Sequence, residues 1–152
     1  MKAILMTLIN VHSKKEAIKT EDVAYLYQSV GFGKARDYLS LEHFRLRFID
    51  ADNVLSAFAV DGCGNLIGMA RALTDDPSVT FIAEVCVHPS QQRCGVGKRL
   101  LQEIAGRASH TTLYADALPT GLKLCASVGI VPKPMLIACS KPPNSLNKCS
   151  PY

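Results

Sequence analysis

Residues Glu84 to Leu101 constrain this chain more than any other stretch. An apolar strand ends at His88-Pro89, a short polar loop follows, and Gly95-Val96-Gly97 then opens a basic amphipathic helix whose apolar pattern continues at Ile104. A glycine turn feeding a helix start collects unpaired backbone N–H groups at the positive end of the helix dipole, which suits phosphate groups. Glycine is required there because a side chain would block the approach of an anion to the backbone.

The spacing narrows the phosphate ligand. A dinucleotide fingerprint of the G-x-G-x-x-G type fails because its third position is Leu100. A P-loop fails because Gln92 stands where its first glycine is needed and Arg99 where Ser or Thr should follow the lysine. What remains is Gln92-x-x-Gly95-x-Gly97, flanked by Val87-His88-Pro89 and Lys98-Arg99-Leu100-Leu101. This motif resembles the acetyl-CoA pyrophosphate loop, Gln/Arg-x-x-Gly-x-Gly/Ala, of the GNAT family of N-acetyltransferases. Motif, preceding strand, His-Pro and following helix stand in the family's order.

Length and composition agree with an ordinary globular domain. The chain has 152 residues, 48% hydrophobic and 20% charged, and fits one domain with a core over about residues 3–140 and a frayed tail over 141–152. The formal charge of +4 is mild, and no long Lys/Arg run points to nucleic acid. The apolar run Ala3 to Val11 is too short and interrupted for a membrane span and lacks a signal peptide's cleavage pattern, so no membrane partner and a cytoplasmic location are expected. The six cysteines, Cys63, Cys86, Cys94, Cys125, Cys139 and Cys149, are scattered without a C-x-x-C pair and read as reduced thiols. A zinc site from Cys86, His88 and Cys94 matches no usual ligand spacing, so no metal is expected.

The apolar periodicities give an element order. Residues 3–11 read as a first strand. Thr20 with Glu21 and Asp22 opens a helix that turns Val23, Leu26 and Tyr27 inward and ends near Gly31 or Gly33. Ser40 reads as the N-cap of a second helix running through Leu41, Phe44, Leu46 and Phe48 to about Asp50. Val54–Val60 and Leu66–Leu73 read as a hairpin around Asp61–Asn65. Val79–Val87 is a strand whose alternation places Val79, Phe81, Ala83, Val85 and Val87 on one face and Ile82, Glu84 and Cys86 on the other. Val96, Leu100, Leu101, Ile104 and Ala105 form one helix face. A short strand at Thr112–Ala115, a helix from Pro119 or Thr120 to Gly129, and a last strand at Met135–Ser140 complete the order.

That order is α+β, and it is also the order of elements in the GNAT fold: a central mixed, mostly antiparallel sheet flanked by helices, with two splayed parallel strands binding the cofactor. The resemblance covers roughly residues 15–137. Leu26 to Gly33 and Ala70 to Leu73 also look like segments of small bacterial members.

The resemblance implies acetyl-CoA as cofactor, with CoA as product, and direct attack of a small molecule's primary amine on the thioester in a ternary complex. The splayed strands would be those ending at Val87 and beginning near Thr112, with backbone contacts to the pantetheine from Cys86 and Val87. The pyrophosphate would meet Gln92, Arg93, Cys94, Gly95, Val96, Gly97 and Lys98, and Arg93, Lys98 or Arg99 would add a charge-assisted contact. A backbone N–H near Val87 would serve the developing oxyanion.

Glu84 is the first candidate for general base, as a partly desolvated carboxylate on the cofactor strand, and a structural glutamate satisfied by Arg71 is the alternative. His88 and Asp116 rank behind it. The general acid is where the sequence departs from the family, which usually carries a tyrosine four residues before the glycine closing the late helix. In Leu124-Cys125-Ala126-Ser127-Val128-Gly129-Ile130 that place holds Cys125, a thiol with an ordinary pKa of about 8.5 that is either the acid or a core residue. Leu118 occupies the place of the asparagine that often opens the motif, and Tyr114 or solvent are substitutes for the acid. The early helices and the Gly31–Ser40 link, a possible lid with Tyr25, Tyr27 and Tyr38 nearby, are expected to form the acceptor site. A catalytically weak acyl-CoA-binding sensor and a peptide or protein N-acetyltransferase are the competing readings, and the final strand offers a route to a homodimer.

Overall fold

The computed structural model describes residues 8–141. Strand β1 (Asn10–His12) is followed by three helices, α1 (Thr20–Ser29), α2 (Ala35–Leu39) and α3 (Phe44–Phe48). Strands β2 (Val54–Val60), β3 (Leu66–Thr74) and β4 (Val79–Val87) come next, then α4 (Val96–Arg107), β5 (Thr112–Ala115) and α5 (Leu122–Ala126). The strands form one five-stranded sheet in chain order; all neighbours are antiparallel except β4 and β5, which run parallel. The α+β class and the mixed sheet match the sequence reading. No helix among the described residues is long and apolar enough to cross a membrane.

The two faces of the sheet carry different side chains, and each receives its own helices. On one face, alanines 57, 59, 70 and 72 leave room for α4, which buries Val96, Leu100, Leu101 and Ile104 against them. On the other, Phe58, Met69 and Cys86 meet Val23, Leu26 and Tyr27 of α1 and Phe44 of α3. Each fully buried Leu, Ile or Phe side chain contributes about 1.5–3 kcal/mol, so these two layers supply most of what holds the helices to the sheet.

Asp61 closes the β2–β3 turn by accepting from the Cys63 and Asn65 N–H groups at 2.9 Å each. Asp75 does the same in the β3–β4 turn, accepting from Ser78 N at 2.9 Å and Val79 N at 2.7 Å. Carboxylates of this kind stand in for a strand's missing partners at a turn.

Three expectations about the early helices are corrected. The helix expected from Ser40 to Asp50 is only the short α3, Phe44–Phe48, because His43 takes a left-handed backbone (φ 59°) and the residues from Ser40 to His43 form turns instead. Ser40 closes α2, with its Oγ donating to Asp37 O at 2.9 Å. Likewise, Thr20 is the first residue of α1 and caps nothing with its side chain.

The even alternation expected along β4 fails at Ala83. Arg71 faces Glu84 and Ala72 faces Ile82, so Ala83 is an extra residue, a β-bulge. Ile82 thereby turns to the α4 face with Val85 and Val87, while Cys86 stays on the α1 face.

The strand expected at Met135–Ser140 does not form: Met135 and Ile137 are 92% and 86% exposed, and Leu136 N closes a turn on Lys133 O at 2.9 Å. Pro132 and Pro134 remove two backbone donors just before it. The first strand is seen only as Asn10–His12; residues 3–7 of the expected strand and all but residue 141 of the expected tail lie outside the described residues.

Candidate active site

Strands β4 and β5 part company in the middle of β4. They pair from Val79↔Thr112 to Ile82↔Ala115, after which β4 continues to Val87 beside β3 alone. The parting point coincides with the bulge at Ala83, whose added twist turns the second half of β4 away from β5. Cys86 and Val87 lie in this second half, opposite Met69 and Gly68. The Cys86 side chain is buried on the α1 face, with Sγ 3.6 Å from Met69 O, and burial raises its thiol far above the ordinary range. Only its backbone is available to a cleft ligand.

Beyond Val87 the chain builds a braced loop. His88 N donates to Ile67 O at 2.8 Å, and His88 Nδ1 accepts from Ser90 N at 3.3 Å, capping the short 3-10 turn Pro89–Gln91. Gln92 folds back and donates from Nε2 to Val87 O at 3.0 Å. Thus His88 and Gln92 shape the loop with their side chains, and the Val87 carbonyl already has a protein donor.

Arg93 (φ 65°) and Gly95 (φ 79°) both adopt left-handed backbone around Cys94, which is exposed with Sγ 3.5 Å from Gln92 O. Helix α4 then begins at Val96 with no side-chain cap, and its first helical bond is Arg99 N to Gly95 O at 3.2 Å. The N–H groups of Val96, Gly97 and Lys98 are therefore without helical acceptors. A Cβ placed on Gly95 would meet no atom of the described residues within 4 Å, which leaves this flank open to a ligand. Exposed Arg93 and Lys98 border it, whereas Arg99 is committed elsewhere, donating from Nη1 to Ile9 O at 2.9 Å. An open helix start with cationic neighbours fits a pyrophosphate group.

Glu84 sits one residue past the bulge, and its carboxylate accepts three hydrogen bonds. Arg71 donates to it twice, Nε to Oε1 at 2.6 Å and Nη2 to Oε2 at 3.0 Å, and Tyr27 Oη donates to Oε1 at 2.5 Å. The Arg71 guanidinium lies 3.7 Å from the centroid of the Phe48 ring. The burial of Tyr27 and the neighbouring Glu84 charge raise the phenol well above its ordinary range. The structural partnership with Arg71 is thus present, while Tyr27 and Phe48 as its further members carried no sequence signal beyond inward helix positions.

Cys125 lies on α5 and is half-buried, and burial raises its thiol. Its neighbour Leu124 brings α5 against the start of α4: a Cβ on Gly97 would come within 3.3 Å of Leu124 Cδ2. Asp116 is exposed, Tyr114 is 48% exposed on the outer strand and Leu118 is 75% exposed.

The Gly31–Ser40 link is shorter than expected, because Ala35–Leu39 is helical, and it is pinned. Phe32 N donates to Tyr27 O at 2.9 Å, Ala35 N to Gln28 Oε1 at 2.8 Å, and Tyr38 Oη donates to Phe32 O. An open cavity of about 410 Å³ lies among the three early helices, lined by Glu21, Tyr38, Leu41, Phe44, Arg45 and others. Tyr38 meets Tyr27 in a tilted ring contact with centroids 5.3 Å apart, linking this cavity to the phenol that holds Glu84. Tyr25, by contrast, is exposed.

Comparison with known proteins places the arrangement. The model of the acetyltransferase (GNAT) family matches residues 19–121. Among solved structures, the chain is similar to a GNAT-family acetyltransferase of Streptococcus pneumoniae TIGR4, at 26% identity and a TM-score of 0.62, over 80% of this chain and 86% of that one. It is also similar to a probable acetyltransferase of meticillin-resistant Staphylococcus aureus, at 17% identity and a TM-score of 0.73, over 90% of this chain and 100% of that one. A third is the aminoglycoside N-acetyltransferase AAC(6')-Iy solved with CoA, at 18% identity and a TM-score of 0.66, over 89% of this chain and 95% of that one. No curated protein matches. The family match spans most of the chain and includes the parted strands and the glycine loop: this chain belongs to the GNAT family of acetyltransferases.

Proposed function

We propose that this protein transfers an acetyl group from acetyl-CoA to the primary amine of a small molecule. One observation carries the reading: β4 and β5 separate after Ile82 and Ala115, beside a braced loop that opens into the uncapped start of α4. The separated strand edge suits the amides of a pantetheine arm, and the loop with Gly95, Val96, Gly97 and Lys98 suits a pyrophosphate. Arg93 and Lys98 supply the cationic contacts, Cys94 contributes backbone, and Gln92 acts by bracing the loop on Val87 O.

Bound acetyl-CoA supplies an activated acetyl group whose sulfur departs with the bonding pair. The chain's own residues manage protons and charge. Glu84 receives the proton that the attacking ammonium must lose, directly or through one water, so that the nitrogen lone pair is free for attack. A backbone N–H of the parted half of β4 faces the developing oxyanion. Cys125, with its thiol raised by burial, stays protonated at neutral pH and can return a proton to the departing sulfur.

A second reading is a binding module that senses acyl-CoA with little turnover. It is favoured by the double Arg71 contact on Glu84 and by Cys125 in the tyrosine's place. Calorimetric titration with acetyl-CoA, CoA and ATP, followed by a panel of amines, tests both readings. Saturable binding of acetyl-CoA with turnover of an amine supports the enzyme, and saturable binding without turnover supports the sensor. No binding by folded, reduced protein removes both.

A further inference from the structure

We propose that Arg71 is a positioning residue for the transfer reaction and acts through Glu84. The inference rests on the reading of Glu84 as the group that receives the amine proton. Arg71 and Glu84 are register partners on β3 and β4, at the last regular pair before the bulge. Their side chains are only 12% and 8% exposed.

The hydrogen bonds select which part of the carboxylate is free. A carboxylate oxygen offers two acceptor sites. Oε1 accepts from Arg71 Nε at 2.6 Å and from Tyr27 Oη at 2.5 Å, and Oε2 accepts from Arg71 Nη2 at 3.0 Å. Among the described residues, both sites on Oε1 are filled and one on Oε2 remains. The fork of the guanidinium fixes the carboxylate plane, and Phe48, 3.7 Å from Arg71 Cζ, fixes the guanidinium. Ser56, opposite Arg71 on β2 and fully buried, closes the other end of this cross-strand row with a small side chain.

The proton step then has one route. An N–H bond of the ammonium breaks, its electron pair stays on nitrogen for attack on the acetyl carbonyl, and the proton passes to the vacant site of Oε2. Arg71 aims that site through its two-pronged grip on the carboxylate. Lysine would keep the charge but lose the two-pronged grip.

The test uses the full chain, acetyl-CoA and an amine turned over in the panel assay. It compares native protein with Glu84→Gln, Arg71→Lys and the double variant Arg71→Met/Glu84→Gln. Removing both charges together avoids leaving one buried ion unpaired, the outcome most damaging to folding. Melting curves and CoA affinity verify that each variant is folded. Glu84→Gln is expected to lower kcat by about a hundredfold or more, the scale of a lost proton-transfer group. If Arg71 acts through Glu84, adding Arg71→Met to Glu84→Gln changes kcat by less than about twofold, because the two substitutions are not additive. Arg71→Lys lowers kcat several-fold while CoA affinity holds within about twofold. A slow Glu84→Gln with a double variant about tenfold slower again removes the proposal alone. Arg71→Lys at native kcat also removes it. A fully active Glu84→Gln removes the reading of Glu84 together with the proposal.

Discussion

Gly68 of β3 lies directly beneath Leu100 of α4. A Cβ at Gly68 would come 3.0 Å from Leu100 Cδ1, 3.1 Å from Val96 Cγ1 and 3.3 Å from the Cys86 carbonyl. The first two contacts are with buried core side chains, and the third is with backbone of the parted half of β4, so none yields freely. Gly68→Val is expected to destabilise the protein by about 1–3 kcal/mol, the usual cost of overpacking a filled core. Because Val96 is the first residue of α4, the same substitution should weaken CoA binding. Thermal melting and calorimetry on one preparation check both effects. Native stability in Gly68→Val would mean that α4 sits further from the sheet than described.

Gly95 tests the loop itself. Its backbone is left-handed and its Cβ position is open, so Gly95→Ala should cost about 1 kcal/mol of stability through backbone strain while leaving the approach to the helix start nearly clear. Gly95→Glu adds bulk and a negative charge where the pyrophosphate is expected. Its affinity for acetyl-CoA should fall by about a hundredfold or more, roughly 2.7 kcal/mol, while the fold persists. Unchanged affinity in Gly95→Glu would show that the phosphates bind elsewhere.

The parts of the structure legible in the sequence are those fixed by local chemistry. The hairpin around Asp61–Asn65, the strand Val79–Val87 and the start of α4 at Gly95-Val96 stand where alternation, turn residues and glycine place them. What the pattern could not carry were events that break a period without changing composition. His43 interrupts a helical apolar run by its backbone alone, and Ala83 flips the face of Ile82 by adding one residue to a strand that otherwise alternates well. The site was half legible for the same reason. The glycine motif is contiguous, whereas the grip on Glu84 joins α1, α3, β3 and β4, and only the folded chain brings Tyr27, Phe48 and Arg71 together.

Tyr27 and Cys86 give the protein an alkaline limit. Both are buried beside Glu84, and burial raises the proton affinity of each above its reference value, 10.0 for the phenol and 9.0, at the upper end of the ordinary range, for the thiol. In the unfolded chain these groups release their protons first. Above pH 9.0 for Cys86 and above pH 10.0 for Tyr27 the folded state therefore holds more protons than the unfolded state, and stability falls as pH rises. Below those values their contribution is fully present. Denaturant melts between pH 7 and 11 should show the decline. Cys86→Ala should flatten its earlier part and Tyr27→Phe its later part. Tyr27→Phe should also cost about 1.5–3 kcal/mol at neutral pH, since it deletes a hydrogen bond to a charged partner. An equally steep decline in Cys86→Ala/Tyr27→Phe would place its origin in other groups.

In the proposed mechanism Cys125 protonates the departing sulfur. The thiol is raised by burial, so it carries its proton at neutral pH, as a general acid must. It is adjacent in α5 to Leu124, which packs against Gly97 at the start of α4 and so ties this helix to the glycine loop. If the thiol delivers the proton, Cys125→Ala should lower kcat by about a hundredfold, the lower end of what a positioned acid contributes, with little change in CoA affinity. Cys125→Ser, which keeps a smaller proton donor in the same place, should recover part of that loss. If instead Cys125 is only a packing residue, Cys125→Ala should leave kcat near native and lower the melting temperature by a few degrees, the effect of losing a half-buried sulfur. Single-turnover rates with saturating acetyl-CoA, read beside melting curves, separate the two outcomes. A native rate in Cys125→Ala would remove Cys125 as the acid and pass the proton step to Tyr114 or solvent.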